Sequence, residues 1–445
     1  ELKERLGAQR VQRVKCRLFF DAPEATPVQF SALKSAEKLC AVVGLHEAVT
    51  ISKILQEVEG NEGGQEEGAR ERSLAAWISS FATWETVMAA WKHFNDSLGN
   101  SGPPPTSKSS DTSPLTFKVT CRRSGKRFAN VSTQKLAVAA ASSLTKKYGW
   151  RAQVRFPDFE VRVLISDSEV LIDVPILVQL SVPIGGGELV SSGLAAPVAW
   201  AMARTAELKP GDCVLDPMCG KAITLIESSL CWTKCHYLGL DIDSTQLKGA
   251  SDNSRLLLEA AGRTSAAKLE LMQGDARRLP LPDDSVDVIL CDVPFGRQFL
   301  SVEECRNGLY DQVLAEFDRV IVKTCNGRAI LLCSLEQELW LLRSAGFTVE
   351  GLPPRPEDPK IAPKSAQSWC CVCRREVKLG PLEAVLIVLH RPDSLLAKEQ
   401  KHCGDGSLPP ISKRLWWETS AGRGDWASLK IADRPPMQLA RGREI

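Results

Sequence analysis

A chain of 445 residues with 44% apolar content is long enough to bury two or three separate cores. Its 56 Lys and Arg stand against 54 Asp and Glu, so bulk charge names no partner. No apolar run approaches the length of a membrane-spanning helix, and no membrane partner is expected.

The first residue is Glu rather than Met, which points to a chain that begins inside a longer one. Residues 1 to about 95 mix short strand-like runs, such as RVKCRLFF, with helical segments around 31–58 and 73–95. The stretch EVEGNEGGQEEGARER interrupts them as a solvated acidic insertion. NDSLGNSGPPPTSKSSDTSP (95–114) is too rich in Ser, Gly and Pro to bury anything and reads as a linker. From Phe117 the texture changes. FKVTCRRSGKRF predicts a strand ending in a basic turn, and STQKLAVAAASSLTKKYGW a small-residue helix capped by Ser132 or Thr133. EVRVLISDSEVLIDVPI predicts a hairpin whose inward residues alternate.

Between 116 and 151 nine residues are Lys or Arg (Lys118, Arg122, Arg123, Lys126, Arg127, Lys135, Lys146, Lys147, Arg151) and none is Asp or Glu. In a charge-balanced chain that segregation points to a phosphate backbone, because each neutralised phosphate releases a counterion. Lys118, Arg122, Arg123, Lys126, Arg127, Lys146 and Lys147 are the candidate RNA contacts. The alternative is a merely solvated basic face.

From about residue 190 the runs CVLD, HYLGLD, KLELMQ, VDVILCD, RAILLCS, FTVEG and EAVLIVLH read as strands, with helical stretches between the first several. That order predicts a mostly parallel sheet with helices on both faces and ligands at the carboxyl ends of the strands. EAVLIVLH, after the Pro-rich GLPPRPEDPKIAP, is expected to be an antiparallel hairpin strand. The 15 Cys include the close set Cys370, Cys371 and Cys373. Irregular spacing and the lack of a signal peptide make them reduced thiols of a cytosolic or nuclear protein. Scarce His and no recurring CxxC pair argue against the rival zinc site, and no metal residue is assigned. Residues 396–445 hold Trp416, Trp417 and Trp426, which suit packing over the domain better than contact with RNA.

VLDPMCGKAITLIE (214–227) predicts a strand that stops at Asp216 and turns tightly into a helix, with Gly220 letting the backbone approach a ligand. A dinucleotide fold would need GxGxxG here, and Asp216 would repel phosphates. The site therefore suits a cationic ligand without phosphates, as S-adenosylmethionine is. HYLGLDIDS places Asp241 at the next strand tip, able to take ribose hydroxyls; Asp243 is its rival, and the strand end favours Asp241. LMQGDARRLP places Asp275 after the third strand, able to accept from an adenine amine. A single strand-end Asp is ordinarily a turn residue; three on successive strands point to a site.

VILCDVPFGRQFL (288–300) ends a fourth strand at Asp292. Its carboxylate, with the carbonyl of Val293 or Pro294, could accept both hydrogens of an exocyclic purine amine. Pro294 stiffens the turn and Phe295 offers a stacking face, so the base must be unpaired or drawn from its helix.

In this order and spacing, DPMCG, GLDID, GDARRLP and DVPFG resemble the THUMP-domain class I RNA methyltransferases that form N2-methylguanosine. LAAPVAWAMARTAEL (194–208) is similar to the family's helix before the first motif. The resemblance covers nearly the whole chain. It implies an α/β architecture: a Rossmann-like class I methyltransferase domain with a mostly parallel seven-stranded sheet, preceded by an α+β ferredoxin-like plus THUMP module. The implied divisions are 1–112 (ferredoxin-like domain with insertion and linker), 113–184 (THUMP), 185–395 (methyltransferase) and 396–445 (C-terminal extension).

It further implies S-adenosylmethionine as cofactor, held by Asp216, Met218, Gly220, Asp241, Ile242, Asp275 and Ala276, and a target guanine held by Asp292, Pro294 and Phe295. The implied substrate is structured RNA, U6 small nuclear RNA in the branch most resembled and transfer RNA in most others. A small zinc-binding activator subunit and a nuclear location, with the cytoplasm as alternative, complete the expectation. Ala222, preceded by Lys221, stands where the family commonly has Gly. Two other readings stay open: methylation of adenine N6 or a glutamine amide, and a non-catalytic RNA-binding module with a relic pocket.

Overall fold

The computed structural model describes residues 2–412 apart from 15–16, 23, 32, 35, 37, 62–67, 98–113, 179–193, 261–268, 297–300, 302, 304, 324–326, 350–351, 353–368, 380–381, 393–407 and 410. Most of the expected linker, the centre of the acidic insertion and the tryptophan-bearing C-terminal extension lie outside these residues. The described residues fall into two units, within Glu1–Gln179 and Leu180–Arg423.

The first unit begins with α1 (Leu2–Leu6), the antiparallel pair β1 (Gln9–Val14) and β2 (Arg17–Asp21), and α2 (Pro27–Ser31). Next come β3 (Lys38–Glu47), α3 (Ala48–Asn61), α4 (Ala69–Ser80) and α5 (Thr83–Ser97). Then follow β4 (Thr116–Arg123), α6 (Thr133–Tyr148), β5 (Arg151–Ala152), β6 (Phe159–Ile165) and β7 (Glu169–Val178). The expected helix α6 is capped as its sequence asks: Ser132 Oγ accepts from the Lys135 amide at 3.3 Å, and Gly149 closes the last turn at φ 72°. Leu136, Ala140 and Leu144, one turn apart, bury its inner stripe. β6 buries Phe159, Val161, Val163 and Ile165 in strict alternation and forms the expected hairpin with β7.

Two expectations for this unit fail. Residues 31–58 are not one helical stretch, because KLCAVVGLHE is β3, paired antiparallel with β7 from Lys38↔Val178 to Glu47↔Glu169. Its apolar run satisfies either period, and the long-range partner decides. Nor does a division at residue 112 separate two cores. The five-stranded sheet runs β3-β7-β6-β4-β5. Val43, Ile51, Leu74, Ile78 and Trp84 share one core with Phe117, Leu136 and Ile172.

The second unit contains α7 (Ala196–Thr205), β8 (Cys213–Asp216), α8 (Ile223–Cys231), β9 (His236–Asp241), α9 (Ser244–Ala260), β10 (Leu269–Gln273) and β11 (Val288–Asp292). A π-helical turn (Cys305–Leu309) then runs into α10 (Tyr310–Val320). After it come β12 (Arg328–Ser334), α11 (Glu338–Ser344), β13 (Cys370–Leu379), β14 (Leu382–His390) and the two-residue β15 (Ile411–Ser412). The sheet order is β10-β9-β8-β11-β12-β14-β13-β15. Strands β8 to β12 are parallel, and β14 runs antiparallel between β12 and β13. This is the mostly parallel seven-stranded sheet of the class I methyltransferase fold, with β15 as a short addition at its edge. One apolar cluster packs α10 and α11, the other α7 and α8. The strand order reverses between β8 and β11, which opens a crevice at their carboxyl ends.

FTVEG is not the sixth strand. Phe347 is buried just after α11, and residues 347–349 form no strand. That place belongs to β13, whose CCVCRREVKL lacks a clean apolar alternation; its Arg374 is buried against Glu338 at 2.7 Å. The expectation of wholly reduced cysteines also fails at one position: eleven described cysteines are free and Cys370 is disulfide-bonded.

A buried ion pair ties the segment before β8 to β12. Arg328, only 4% exposed, donates from Nη2 to Asp212 Oδ2 at 2.6 Å, and its Nε donates to the Ala206 carbonyl. Beside it, burial and then the Arg328 charge push His390 down to about 4, so it stays neutral. Removing one member of such a pair strands the other charge in a dry site. Asp212→Ala should lower unfolding free energy by about 3 kcal/mol or more in chemical denaturation; a loss below about 1 kcal/mol would show the pair to be dispensable.

Candidate active site

β8 delivers Asp216 to the crevice almost sealed from solvent, at 1% exposure. The following turn is held by backbone bonds. The Met218 amide donates to Asp216 Oδ1 at 3.3 Å, and the Cys219 amide to the Leu240 carbonyl at 2.9 Å. Gly220, at φ 51°, donates its amide to Asp241 Oδ2 at 2.8 Å. Asp241 Oδ1 accepts from the Asp243 amide at 3.0 Å. Asp241 therefore bridges the β8 and β9 loops, while Asp243 caps α9, its Oδ1 accepting from the Thr245 amide and hydroxyl at 2.8 and 2.7 Å. That division of labour separates the two carboxylates that compete in sequence. Ile242, between them, is 62% exposed, an apolar side chain left in the open at a strand end.

Asp292 ends β11 with Oδ1 enclosed and without a hydrogen-bond partner. Burial pushes its carboxyl up to about 7. Asp216 is raised well above the carboxylate range, first by burial and then by the charges of Asp292 and Asp241, against the Met218 hydrogen bond. The structure thus brings Asp216 within the fields of both Asp292 and Asp241. A cationic ligand would relieve that repulsion and a phosphate would worsen it, so the residues present fit S-adenosylmethionine.

Asp275 stands differently. Its carboxylate accepts from the Arg277 amide at 2.9 Å and the Arg277 guanidinium at 2.7 and 3.0 Å, which hold it below the usual range. Ala276 is buried in the core beside it.

The turn after Asp292 has a support that no sequence motif announces. The Val293 amide donates to the Leu332 carbonyl at 2.9 Å, extending the ladder by one residue. Tyr310 Oη lies 3.0 Å from the Pro294 carbonyl and 2.9 Å from Gln337 Oε1. One hydroxyl has one proton, and the fully buried Gln337 has a partnerless Nε2. Turning the amide over satisfies the chain: Gln337 donates to Tyr310, which donates to Pro294. Phe295 is half-buried against the core that packs α7 and α8. Tyr310 is one of only three tyrosines in the chain, a rarity that is the sole hint in the sequence.

The basic candidates divide. Arg122, Lys126 and Lys146 are exposed. Lys118 pairs with Glu160 at 3.6 Å. The Arg123 guanidinium donates to the carbonyls of Phe128, Ala129 and Val131. Arg127 donates from Nε to the Asp167 carbonyl at 3.1 Å, and Lys147 from Nζ to the Ser79 carbonyl at 2.8 Å. These last three spend hydrogen bonds on shaping their own unit.

Residues 188–344 match the RMKL-like methyltransferase domain model and residues 90–174 the THUMP domain model. The chain is 31% identical over 316 residues to the mouse U6 snRNA (guanine-N(2))-methyltransferase THUMPD2, covering 66% of this chain and 57% of that protein. It is 30% identical over 221 residues to the mouse tRNA (guanine(6)-N(2))-methyltransferase THUMP3, covering 48% of this chain and 43% of that one. The chain thus spans about half the length of the curated relatives it matches. In structure it is similar to SMU.472 complexed with SAH, with TM-score 0.54, 13% identity and coverage of 87% of this chain and 93% of that one, a likeness of fold.

Ala222 stands at φ 59°, ψ 24°, a left-handed residue with a fully buried methyl at the start of α8. For an L-residue with a side chain that conformation costs roughly 1–2 kcal/mol. Ala222→Val should therefore lower unfolding free energy by about 2 kcal/mol, whereas Ala222→Gly stays within about 1 kcal/mol because relieved strain offsets lost burial and greater unfolded-state freedom. Denaturation of both variants checks this; a Val variant as stable as the parent would show that residue 222 is not left-handed.

Proposed function

Because this chain carries a THUMP domain and an RMKL-like methyltransferase domain, we propose that it methylates the N2 amine of a guanosine in structured RNA, using S-adenosylmethionine. The observation that carries this reading is Asp292 Oδ1, buried and partnerless at the carboxyl end of a sheet strand, beside two more carboxylates. U6 small nuclear RNA is the first substrate proposed and transfer RNA the second, in the order of the matched relatives. A nuclear location accompanies the first. A small zinc-binding activator subunit belongs to this reading on the strength of the family resemblance alone.

The bound cofactor supplies an electrophilic methyl on a sulfonium. Asp241, already fixed by Gly220 and Asp243 amides, keeps lone pairs for two ribose hydroxyls. Asp216 and the turn at Met218 and Gly220 would hold the methionine end, where a carboxylate favours the amino group and sulfonium. Ile242, exposed at the tip of β9, would cover the adenine side. Asp275 reaches the adenine amine only through the lone pairs Arg277 leaves it.

At the target, a guanine N2 lone pair is shared with its ring and must be drawn out. Asp292 Oδ1 accepts one amine hydrogen. The Pro294 carbonyl already accepts from Tyr310 Oη at 3.0 Å and from Cys305 Sγ at 3.7 Å, which occupies both its lone pairs, so the second acceptor is the Val293 carbonyl. This pair orients the amine, favours charge build-up on nitrogen and lets Asp292 take the proton once the new N–C bond has formed. Phe295 offers its face to the base.

Asp292→Ala should fold and bind cofactor but lose methyl transfer roughly a hundred-fold or more. The assay uses labelled cofactor with U6 and transfer RNA transcripts, followed by nucleoside mass spectrometry. Turnover near that of the parent, or methyl only on adenosine, would refute the assignment. A second expectation concerns pH. Below its raised pKa Asp292 is already protonated and cannot take the amine proton, so kcat/KM should rise as pH increases through about 7. A profile flat from pH 5.5 to 8.5, measured for single-turnover transfer, would remove Asp292 from the rate-determining chemistry.

A further inference from the structure

We propose that the loop between β5 and β6 is a stacking platform for an unpaired RNA base, with Phe156 as the platform and Arg151 and Arg155 as its phosphate-facing rim. The inference rests on the RNA-substrate reading above and gives that substrate a place in the first unit.

Phe156 is 65% exposed, and Val154 beside it is 85% exposed. Both stand next to a ready apolar refuge. Phe117, Tyr148, Trp150 and Phe159 pack as an aromatic cluster directly beneath the strand ends, with Tyr148 and Trp150 stacked at 4.7 Å and Trp150 edge-on to Phe159 at 5.1 Å. Phe156 is left outside that cluster and also holds φ 50°, a left-handed conformation unfavourable for a bulky residue.

The loop is built to keep it there. Gln153 Nε2 donates to the carbonyls of Arg155 and Phe156 at 2.8 and 2.9 Å. The Gln153 amide donates to the Phe117 carbonyl at 2.7 Å, and the Asp158 amide to the Thr116 carbonyl at 3.0 Å. A rigid, exposed aromatic ring that costs energy to present is a binding device rather than a packing defect.

Charge selects the partner. Arg151, in β5 beside the start of β4, and Arg155, next to Phe156 in the chain, are exposed. The nearby acid, Asp158, is turned to Thr116, its Oδ2 accepting from the Thr116 amide and hydroxyl, both at 2.7 Å, so the loop keeps an excess of positive charge. Aromatic faces flanked by guanidinium groups fit bases strung on a phosphate backbone, because every base has a π-face. The basic turn at Arg122 and Lys126 lies at the opposite end of β4, roughly 25 Å away at the usual strand rise. There Arg123 and Arg127 already serve backbone carbonyls.

The test compares the full chain with Phe156→Asn, which tolerates the left-handed backbone but lacks the ring, and with Phe156→Trp. Binding is read by fluorescence anisotropy on a single-stranded oligouridylate and on a blunt duplex. The Asn variant should bind the single strand about 5- to 100-fold more weakly and the duplex less than twofold more weakly, while Trp restores the single strand. Equal single-strand affinity in parent and Asn variant overturns the platform and leaves the RNA-substrate reading standing. A parent chain that binds neither RNA overturns both. Should the Asn variant misfold, photocross-linking of the parent chain to a 4-thiouridine oligonucleotide decides: adducts within 153–158 support the platform, and adducts confined to other residues overturn it.

Discussion

The second unit is organised around a carboxylate that the protein does not satisfy. Asp292 is carried by β11 into a place where water is largely excluded, yet its Oδ1 receives no hydrogen bond from the chain. Burying such a group without a partner is unfavourable, and its rise to about 7 is the sign of that cost. Asp216 is raised further still, first by burial and then by the charges of Asp292 and Asp241. Stability alone would replace at least one of the three by an amide. A pocket that keeps all three is preorganised for something brought in from outside: positive charge on one side and amine hydrogens on the other.

Around this centre the protein spends its hydrogen bonds on backbone position. Asp241 clamps two loops at once, through the amides of Gly220 and Asp243. The Gln337–Tyr310–Pro294 chain fixes the turn after β11 from behind. Tyr310 follows immediately on the π-helical turn Cys305–Leu309, an irregularity often associated with functional positions. The result is a rigid frame whose free acceptors are the ones facing the crevice.

Much of this was legible because it is local. Strand-ending aspartates followed by turn signals place Asp216, Asp241 and Asp292 at one sheet end, and the position of the strand tip distinguishes Asp241 from Asp243. The Ser132 cap and the β6–β7 alternation are equally local. What the sequence hid is long-range or depends on exposure. β3 looks helical until β7 lies beside it, and β13 shows no alternation because charged and thiol side chains find buried partners. FTVEG has strand composition, but its described residues 347–349 pair with no strand. Arg123 and Arg127 resemble phosphate contacts until their guanidinium groups are seen to hold neighbouring carbonyls, while Tyr310 has no motif at all. The strained Ala222 was visible as a departure, though not as a left-handed residue.

The pairing of β3 with β7 has a practical corollary. A fragment trimmed to the THUMP-matching region, residues 90–174, would discard β3, α3 and α4. It would bare the outer ladder of β7 and unroof the core that Val43, Ile51 and Ile78 complete. Open ladders recruit other chains, so such a fragment would report on self-association rather than on RNA.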